Sequence, residues 1–365
     1  MSLLSRRVLY SSVSVKPETI HGKGSLGVLR NLPGDNYVVL TSNSFTKSES
    51  FTKLQEKTLA NKKYDIEIIQ NSFEQRILEI KDKYLNWPPD IVIAIGGGSV
   101  LDSAKFIRHF LSFSEDSFDD LAKKYTTDIP KVKLVSIPTT PNTGSEINNI
   151  AVVKKDNSEK IPFINKSFTP DLSVLDPVLL SSIPKELMLD FVSDIFAHGF
   201  EGSRSRLSNP MLKNKAIHAV GDLKNNLDLF SADSTDYQAI ENIQFIGQEA
   251  GTVAESAFVG IIHSLAHALE SLTGASHGKC LHVLNGPMLD WIDKHTDDHK
   301  FNFSTFQDIW SSLRLDETAD KSFLKNIDAN EWTKLAFNDP SHKTDPIKFK
   351  EDNLKELVSW LQSTI

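Results

Sequence analysis

PDIVIAIGGGS, residues 89–99, decides how the first half of the chain folds. Ile91 to Ile95 form an unbroken apolar run of strand length, as expected of a strand buried on both faces of a parallel sheet. Glycines follow at once, and VLDSAKFIRHFLSF (100–113) then carries helical periodicity. A strand that passes through a glycine turn into a helix opens a β–α unit. The neighbouring sequence repeats the alternation. YVVLTS (37–42), DIEIIQ (65–70) and VKLVSIPTT (132–140) read as strands, and EKTLANKK (56–63) and FEQRILEIKDKYLNW (73–87) lie in helical stretches. Parallel strands joined by crossover helices follow.

Beyond Pro184 the texture changes. Long helical periodicities take over at 210–230 and 237–269, with no strand of comparable strength. The expectation is an α/β Rossmann-like domain over residues 1–183 and an all-α domain over 184–365. The opening MSLLSRRVLYSS has the basic, serine-rich character of a transit peptide, but Val8, Tyr10, Val13 and Val15 favour a first strand.

Composition narrows the function. Hydrophobic residues are 39% and charged residues 24% of 365, ordinary for a soluble globular chain. A net charge of −8 gives no electrostatic footprint for nucleic acid or an anionic membrane surface. No apolar run reaches the roughly 18 residues that span a bilayer. Cys280 is the single cysteine, which excludes an internal disulfide and any multi-cysteine metal site and suits a reducing, cytoplasmic setting.

Two turns point to a ligand. In GGGSVLDSAK (96–105), glycines at a helix N-terminus let backbone N–H groups approach a phosphate, although the pattern is not G-x-G-x-x-G. PTTPNTGSE (138–146) supplies a second hydroxyl-rich turn after the next strand. Two such turns at the C-terminal ends of parallel strands mark the usual ligand crevice of an α/β sheet.

The helical half holds a metal-like constellation. HSLAHALESLTGASH (263–277) spaces His263 and His267 at i and i+4, with His277 beyond a break at Gly274. VSDIFAHGFE (192–201) spaces Asp194 and His198 the same way. A carboxylate and imidazoles on separate helices suit zinc or iron(II). His109, His218, His295, His299 and His342 read as ordinary helix-face or surface residues.

These motifs resemble the iron-containing (group III) alcohol dehydrogenases, of the dehydroquinate synthase-like superfamily. GGGSVLDSAK is similar to G-G-G-S-x-x-D-x-A-K, PTTPNTGSE to P-T-T-x-x-T-G-S-E, and DPVLLSSIP (176–184) to D-P-x-L-T-x-x-L-P. SDIFAHGFE resembles M-D-A-L-T-H-A-x-E, and HSLAHALESLTGASHG resembles H-x-x-A-H-x-L-G followed by P-H-G. HGKGS (21–25) and TDP (344–346) echo the family's ends, so the matches are collinear over most of the chain. The resemblance implies Asp194, His198, His263 and His277 as ligands of Fe(2+) or Zn(2+), and His267 as the proton-relay residue beside a nicotinamide. It implies Gly97, Gly98, Ser99 and Asp102 at the cofactor pyrophosphate, Thr139, Thr140 and Thr143 in the same cleft, and Lys160 and Leu179 around ribose and nicotinamide. Ser42 stands where the family often has an aspartate that repels a 2′-phosphate, so NADP(H) becomes acceptable beside NAD(H).

The implied reaction is hydride transfer between nicotinamide and a small aldehyde or alcohol, with a metal polarising the oxygen. A cytoplasmic homodimer is expected, with no nucleic-acid or membrane partner. Departures cluster near the expected substrate pocket: Glu270 stands where glycine is common, Ser276 replaces proline, and KCLHVLNGP (279–287) differs from x-x-N-A-x-L-L-P. Glu270 and His282 either contact a polar substrate or pair with each other. They favour a polar aldehyde, an anionic one included, with Lys166, Arg204 and Arg206 as conceivable anion partners. The alternatives are a 3-dehydroquinate synthase-like cyclase, whose G-H-A-x-E is echoed by AHALE, and an inactive nucleotide-binding homologue.

Overall fold

A computed structural model describes residues 17–141, 144–155, 160–296, 301–324 and 327–364. A six-stranded sheet takes the order β1-β8-β5-β4-β2-β3, all parallel: β1 (Glu18–His21), β2 (Asn36–Thr41), β3 (Lys63–Ile68), β4 (Ile91–Gly96), β5 (Lys133–Pro138) and β8 (Leu172–Leu175). A separate antiparallel hairpin joins β6 (Ile150–Lys154) to β7 (Lys160–Ile164). The first strand expected over Val8 to Val15 lies outside the described residues, and the first described strand begins at Glu18.

The strands interleave two cores. Val38, Leu40, Val92, Ala94 and Leu134 face one side, with helices α1 (Glu74–Tyr84) and α2 (Gly98–Ser112). Val39, Ile91, Ile93, Ile95, Val135 and Ile137 face the other, in a cluster that runs on into the helical half. Period-two alternation sends neighbouring residues to opposite faces, so a wholly apolar strand needs cover on both sides. β4, buried along its whole length, is that strand.

The helical half follows: α3 (Lys185–Arg204), α4 (Pro210–Gly221), α5 (Leu223–Ala232), α6 (Tyr237–Ala257), α7 (Ile261–Thr273), α8 (His277–His295), α9 (Phe303–Leu313), α10 (Ala329–Asn338) and α11 (Glu351–Thr364). The periodicity over 210–230 is two helices that meet at Asp222, and that over 237–269 is two helices bent by 103°. Phe258 makes the second break, with φ 61° in a region costly for a side chain. Among the described residues, no single helix is long and apolar enough to cross a membrane.

Candidate metal and cofactor site

α3 presents Asp194, His198 and Glu201 at i, i+4 and i+7, a single face of the helix. α7 starts at Gly260, where two carboxylates crowd its free N–H groups. Glu201 accepts from the backbone N–H of Ile262 at 2.6 Å, and Asp345 from that of Ile261 at 3.4 Å. A Cβ on Gly260 would meet both carboxylates within 2.9 Å, so only glycine fits there. α7 ends at Gly274 in the left-handed region (φ 70°), and His277 opens α8.

These turns bring Asp194, His263 and His277 to one point, with His198 against Asp194. Asp194 Oδ1 lies 3.6 Å from His198 Nε2, 3.6 Å from His263 Nε2 and 3.8 Å from His277 Nε2. The His198 and His263 rings stack with centroids 4.9 Å apart. Those separations are too long for hydrogen bonds. They match the spacing of donors around one cation with bonds of about 2.1 Å. Asp194 Oδ1 and His263 Nε2 are both buried without a hydrogen-bond partner, an arrangement that a shared cation resolves. Asp194, His263 and His277 form the tightest such group, with His198 stacked beside it.

Electrostatics favour an ionised carboxylate and two neutral rings at this point. Burial raises the Asp194 carboxyl, but the imidazoles of His198, His263 and His277 outweigh it and hold the group well below the usual carboxylate range. Burial lowers His198 to about 4 and His277 well below its ordinary value, so both present neutral rings. Burial also opposes charge on His263, yet Asp194 and Glu201 raise it to about 9. His263 Nδ1 donates to Glu201 at 2.5 Å, and a carboxylate so placed fixes the orientation of the ring.

His267 lies one turn beyond His263 and outside the cluster. Its Nδ1 donates to Asp339 at 2.8 Å, and its ring stacks on His277 at 4.9 Å. Lys160 pairs with Glu270 at 2.6 Å, and Glu270 lies 3.7 Å from His277 Nδ1. His282 turns away to Asp190 (3.0 Å) and the Leu315 carbonyl (2.9 Å), so Glu270 and His282 do not pair. Arg204 is buried against Asp345, so it is not a solvated surface cation, whereas Arg206 is exposed at the surface and donates to the Lys343 carbonyl. His109 is a buried helix-face residue, His342 is buried in a 3-10 turn rather than at the surface, and His299 lies outside the described residues.

The glycine turn joins β4 to α2. Gly98 opens α2 with open space where a Cβ would be, and no side chain caps that N-terminus. Ser99 follows it, and a Cβ on Gly97 would sit 3.5 Å from Thr140, so the two turns close on each other. The Thr139 N–H donates to the Gly96 carbonyl at 3.1 Å. Ser42 caps the turn after β2, accepting from the Phe45 N–H at 3.2 Å, and Leu179 lies buried in the turn after β8. Thr143 lies outside the described residues. Asp102 faces inward, accepting from Ser145 Oγ at 2.6 Å and the Val152 N–H at 3.0 Å. One oxygen thus holds the second turn and the other holds β6.

Lys105, fully buried and lowered to about 8 by burial, completes that turn through Ser145 (2.9 Å), Asn148 (2.6 Å) and the Ile150 carbonyl (2.6 Å). Lys105→Met leaves those acceptors unsatisfied and is expected to lower unfolding free energy by about 3 kcal/mol. Denaturant unfolding checks this; an unchanged midpoint would refute it.

Comparison with known proteins meets this geometry. The iron-containing alcohol dehydrogenase model matches residues 17–177, and the C-terminal model of the Fe-containing alcohol dehydrogenases matches 192–301. The chain belongs to the iron-containing alcohol dehydrogenase family. An alcohol dehydrogenase of Thermococcus barophilus is 26% identical over 94% of this chain and 97% of its own length. An aldehyde-alcohol dehydrogenase of Streptococcus pneumoniae is 32% identical over 54% of this chain, which spans 23% of that longer protein. The fold matches the iron-containing alcohol dehydrogenase of Thermococcus thioreducens with TM-score 0.83 at 21% identity, over 97% of this chain and 100% of the other. Membership of the iron-containing alcohol dehydrogenases supports oxidoreduction between an alcohol and an aldehyde.

Proposed function

We propose that the chain is a metal-dependent, NAD(P)(H)-linked alcohol dehydrogenase acting as a reductase of small polar aldehydes. The observation that carries this reading is the meeting of three imidazole Nε2 atoms on Asp194 Oδ1, with His267 alongside but outside the set. Asp194, His198, His263 and His277 would hold Fe(2+) or Zn(2+), which supplies Lewis acidity to a carbonyl oxygen. Nicotinamide supplies the hydride.

The remaining chemistry belongs to the chain. Gly97, Gly98 and Ser99 would receive the cofactor pyrophosphate at the uncapped N-terminus of α2. Thr139, Thr140 and Thr143 would line the cleft, Lys160 and Leu179 would flank ribose and nicotinamide, and Asp102 would hold the second turn in place. His267 would exchange a proton with the substrate oxygen. No carboxylate stands in the Ser42–Ser44 turn to repel a 2′-phosphate, which supports NADP(H) alongside NAD(H). The half-buried Lys160–Glu270 pair beside His277 offers a donor and an acceptor, which suits substrate hydroxyls. With Arg204 neutralised by Asp345 and Arg206 out at the surface, a neutral polar aldehyde is favoured over an anionic one. A cytoplasmic homodimer completes the reading, consistent with one buried, unpaired cysteine.

Metal-stripped protein reloaded with Fe(2+) or Zn(2+) is to be assayed with NADH and NADPH against a panel of small aldehydes. Metal-dependent cofactor oxidation is expected, fastest with hydroxyaldehydes. A 3-dehydroquinate synthase-like cyclase would show no net cofactor turnover, and an inactive homologue no chemistry at all; either outcome overturns the proposal.

A further inference from the structure

Three imidazoles on α7 and α8 have a carboxylate toward Nδ1: Glu201 for His263 at 2.5 Å, Asp339 for His267 at 2.8 Å, and Glu270 for His277 at 3.7 Å. Two of those rings turn their Nε2 atoms to Asp194. His267 does not, so its carboxylate serves a different end. We infer that Asp339 is the positioning residue of the reaction's proton relay. It fixes the Nδ1–H tautomer of His267, so that Nε2 is the atom offered to the substrate oxygen. The inference rests on the proposed role of His267.

Asp339 is built for that task. It lies at the junction of α10 with the 3-10 turn Pro340–Thr344, far from His267 in sequence. Oδ2 takes the His267 Nδ1–H, while Oδ1 accepts from Ser264 Oγ at 3.1 Å and from the Ser341 N–H at 2.8 Å. Ser264 Oγ in turn accepts from the His342 N–H at 2.9 Å. The carboxylate is thus clamped from α7 and from its own turn, with one oxygen left for the imidazole. A carboxylate can only accept, so Nδ1 must carry the proton. Asn at this position keeps the shape and the Oδ1 contacts, yet it can turn its amide NH2 to the ring and stabilise the opposite tautomer.

D339N, D339E, H267A and the double variant D339N/H267A, all zinc-loaded, separate the possibilities. The expected result for D339N is a kcat about 10²-fold lower, with metal content unchanged and KM for aldehyde and nicotinamide within about twofold. D339E keeps the charge and recovers part of that loss. In the H267A background D339N has no further effect on kcat, because Asp339 acts through the ring. Nitrogen NMR of the His267 ring, assigned by its disappearance in H267A, shows Nδ1–H in the unsubstituted protein and a mixture in D339N. A predominantly Nε2–H ring in the unsubstituted protein overturns the inference, even if D339N fails to fold. So does an equal kcat loss from D339N with and without His267, or a loss that tracks metal content. If H267A itself leaves kcat intact, the relay reading fails separately, while the ring spectrum still reports on Asp339.

Discussion

Replacing His263 with alanine is expected to leave the protein unable to retain metal and to abolish turnover. Three features concentrate the effect there. His263 Nε2 faces Asp194 Oδ1 at 3.6 Å with no other partner, so the ring contributes one of four converging donors. Its Nδ1 is the anchor of buried Glu201, so the substitution also strands an anion in the interior. And α7 carries His267 one turn on, so any movement of the helix start displaces the proton relay as well. Losing a Lewis acid worth several kcal/mol corresponds to a rate loss of about 10³-fold or more. Metal content after dialysis, read by elemental analysis, is expected to fall from near one per chain to near zero. His218→Ala is the control, because that ring is largely exposed and lies outside the cluster. A His263→Ala protein that holds one metal per chain and turns over normally would remove the basis of the site.

How much of this was legible beforehand follows the range of the interactions involved. β2, β4 and β5 announce themselves because a strand covered on both faces must be apolar at nearly every position, while β3, at the sheet edge, shows as alternating polar and apolar residues. β1 and β8, of four residues each, are too short to carry a pattern, and Pro162 disguises β7 within its hairpin. The break between α6 and α7 is hidden because apolar periodicity continues on both sides of it. What turns the chain is Phe258 at positive φ, held where Ser205 and Thr344 bind the adjacent carbonyls of Ala257 and Val259. Asp194 and His198 were readable as an i,i+4 pair, His263 through its spacing to His267, and His277 from its place beyond Gly274, while Glu201 belonged to the Asp194 face one further turn along α3. Asp339 carries no local signal, and Asp345 shows only as part of TDP (344–346). They reach α7 from the end of the chain, through contacts only the tertiary fold makes.

Glu201→Ala is expected to be the most damaging substitution outside the converging donors themselves. Glu201 is fully buried and accepts three hydrogen bonds: from His263 Nδ1 at 2.5 Å, from the Ile262 N–H at 2.6 Å and from the His263 N–H at 3.3 Å. Burial raises its carboxyl, but the His263 ring and the helix amides more than reverse this and keep it ionised. Truncation leaves the N-terminus of α7 without that partner and frees the ring to rotate off Asp194. Removing one member of a buried charged pair costs about 3–5 kcal/mol. Losing an outer-sphere carboxylate weakens metal binding by about 10–100-fold. Both should appear together, as a lower denaturation midpoint of the metal-free protein and a weaker zinc affinity by competition with a chelator. Glu201→Gln retains an acceptor for Ile262 and separates the effects, because stability should largely return while zinc affinity stays low. Were Glu201→Ala to bind zinc as tightly as the unsubstituted protein, the ring of His263 would have to be held by its packing against His198, and the carboxylate would be no more than a cap for α7.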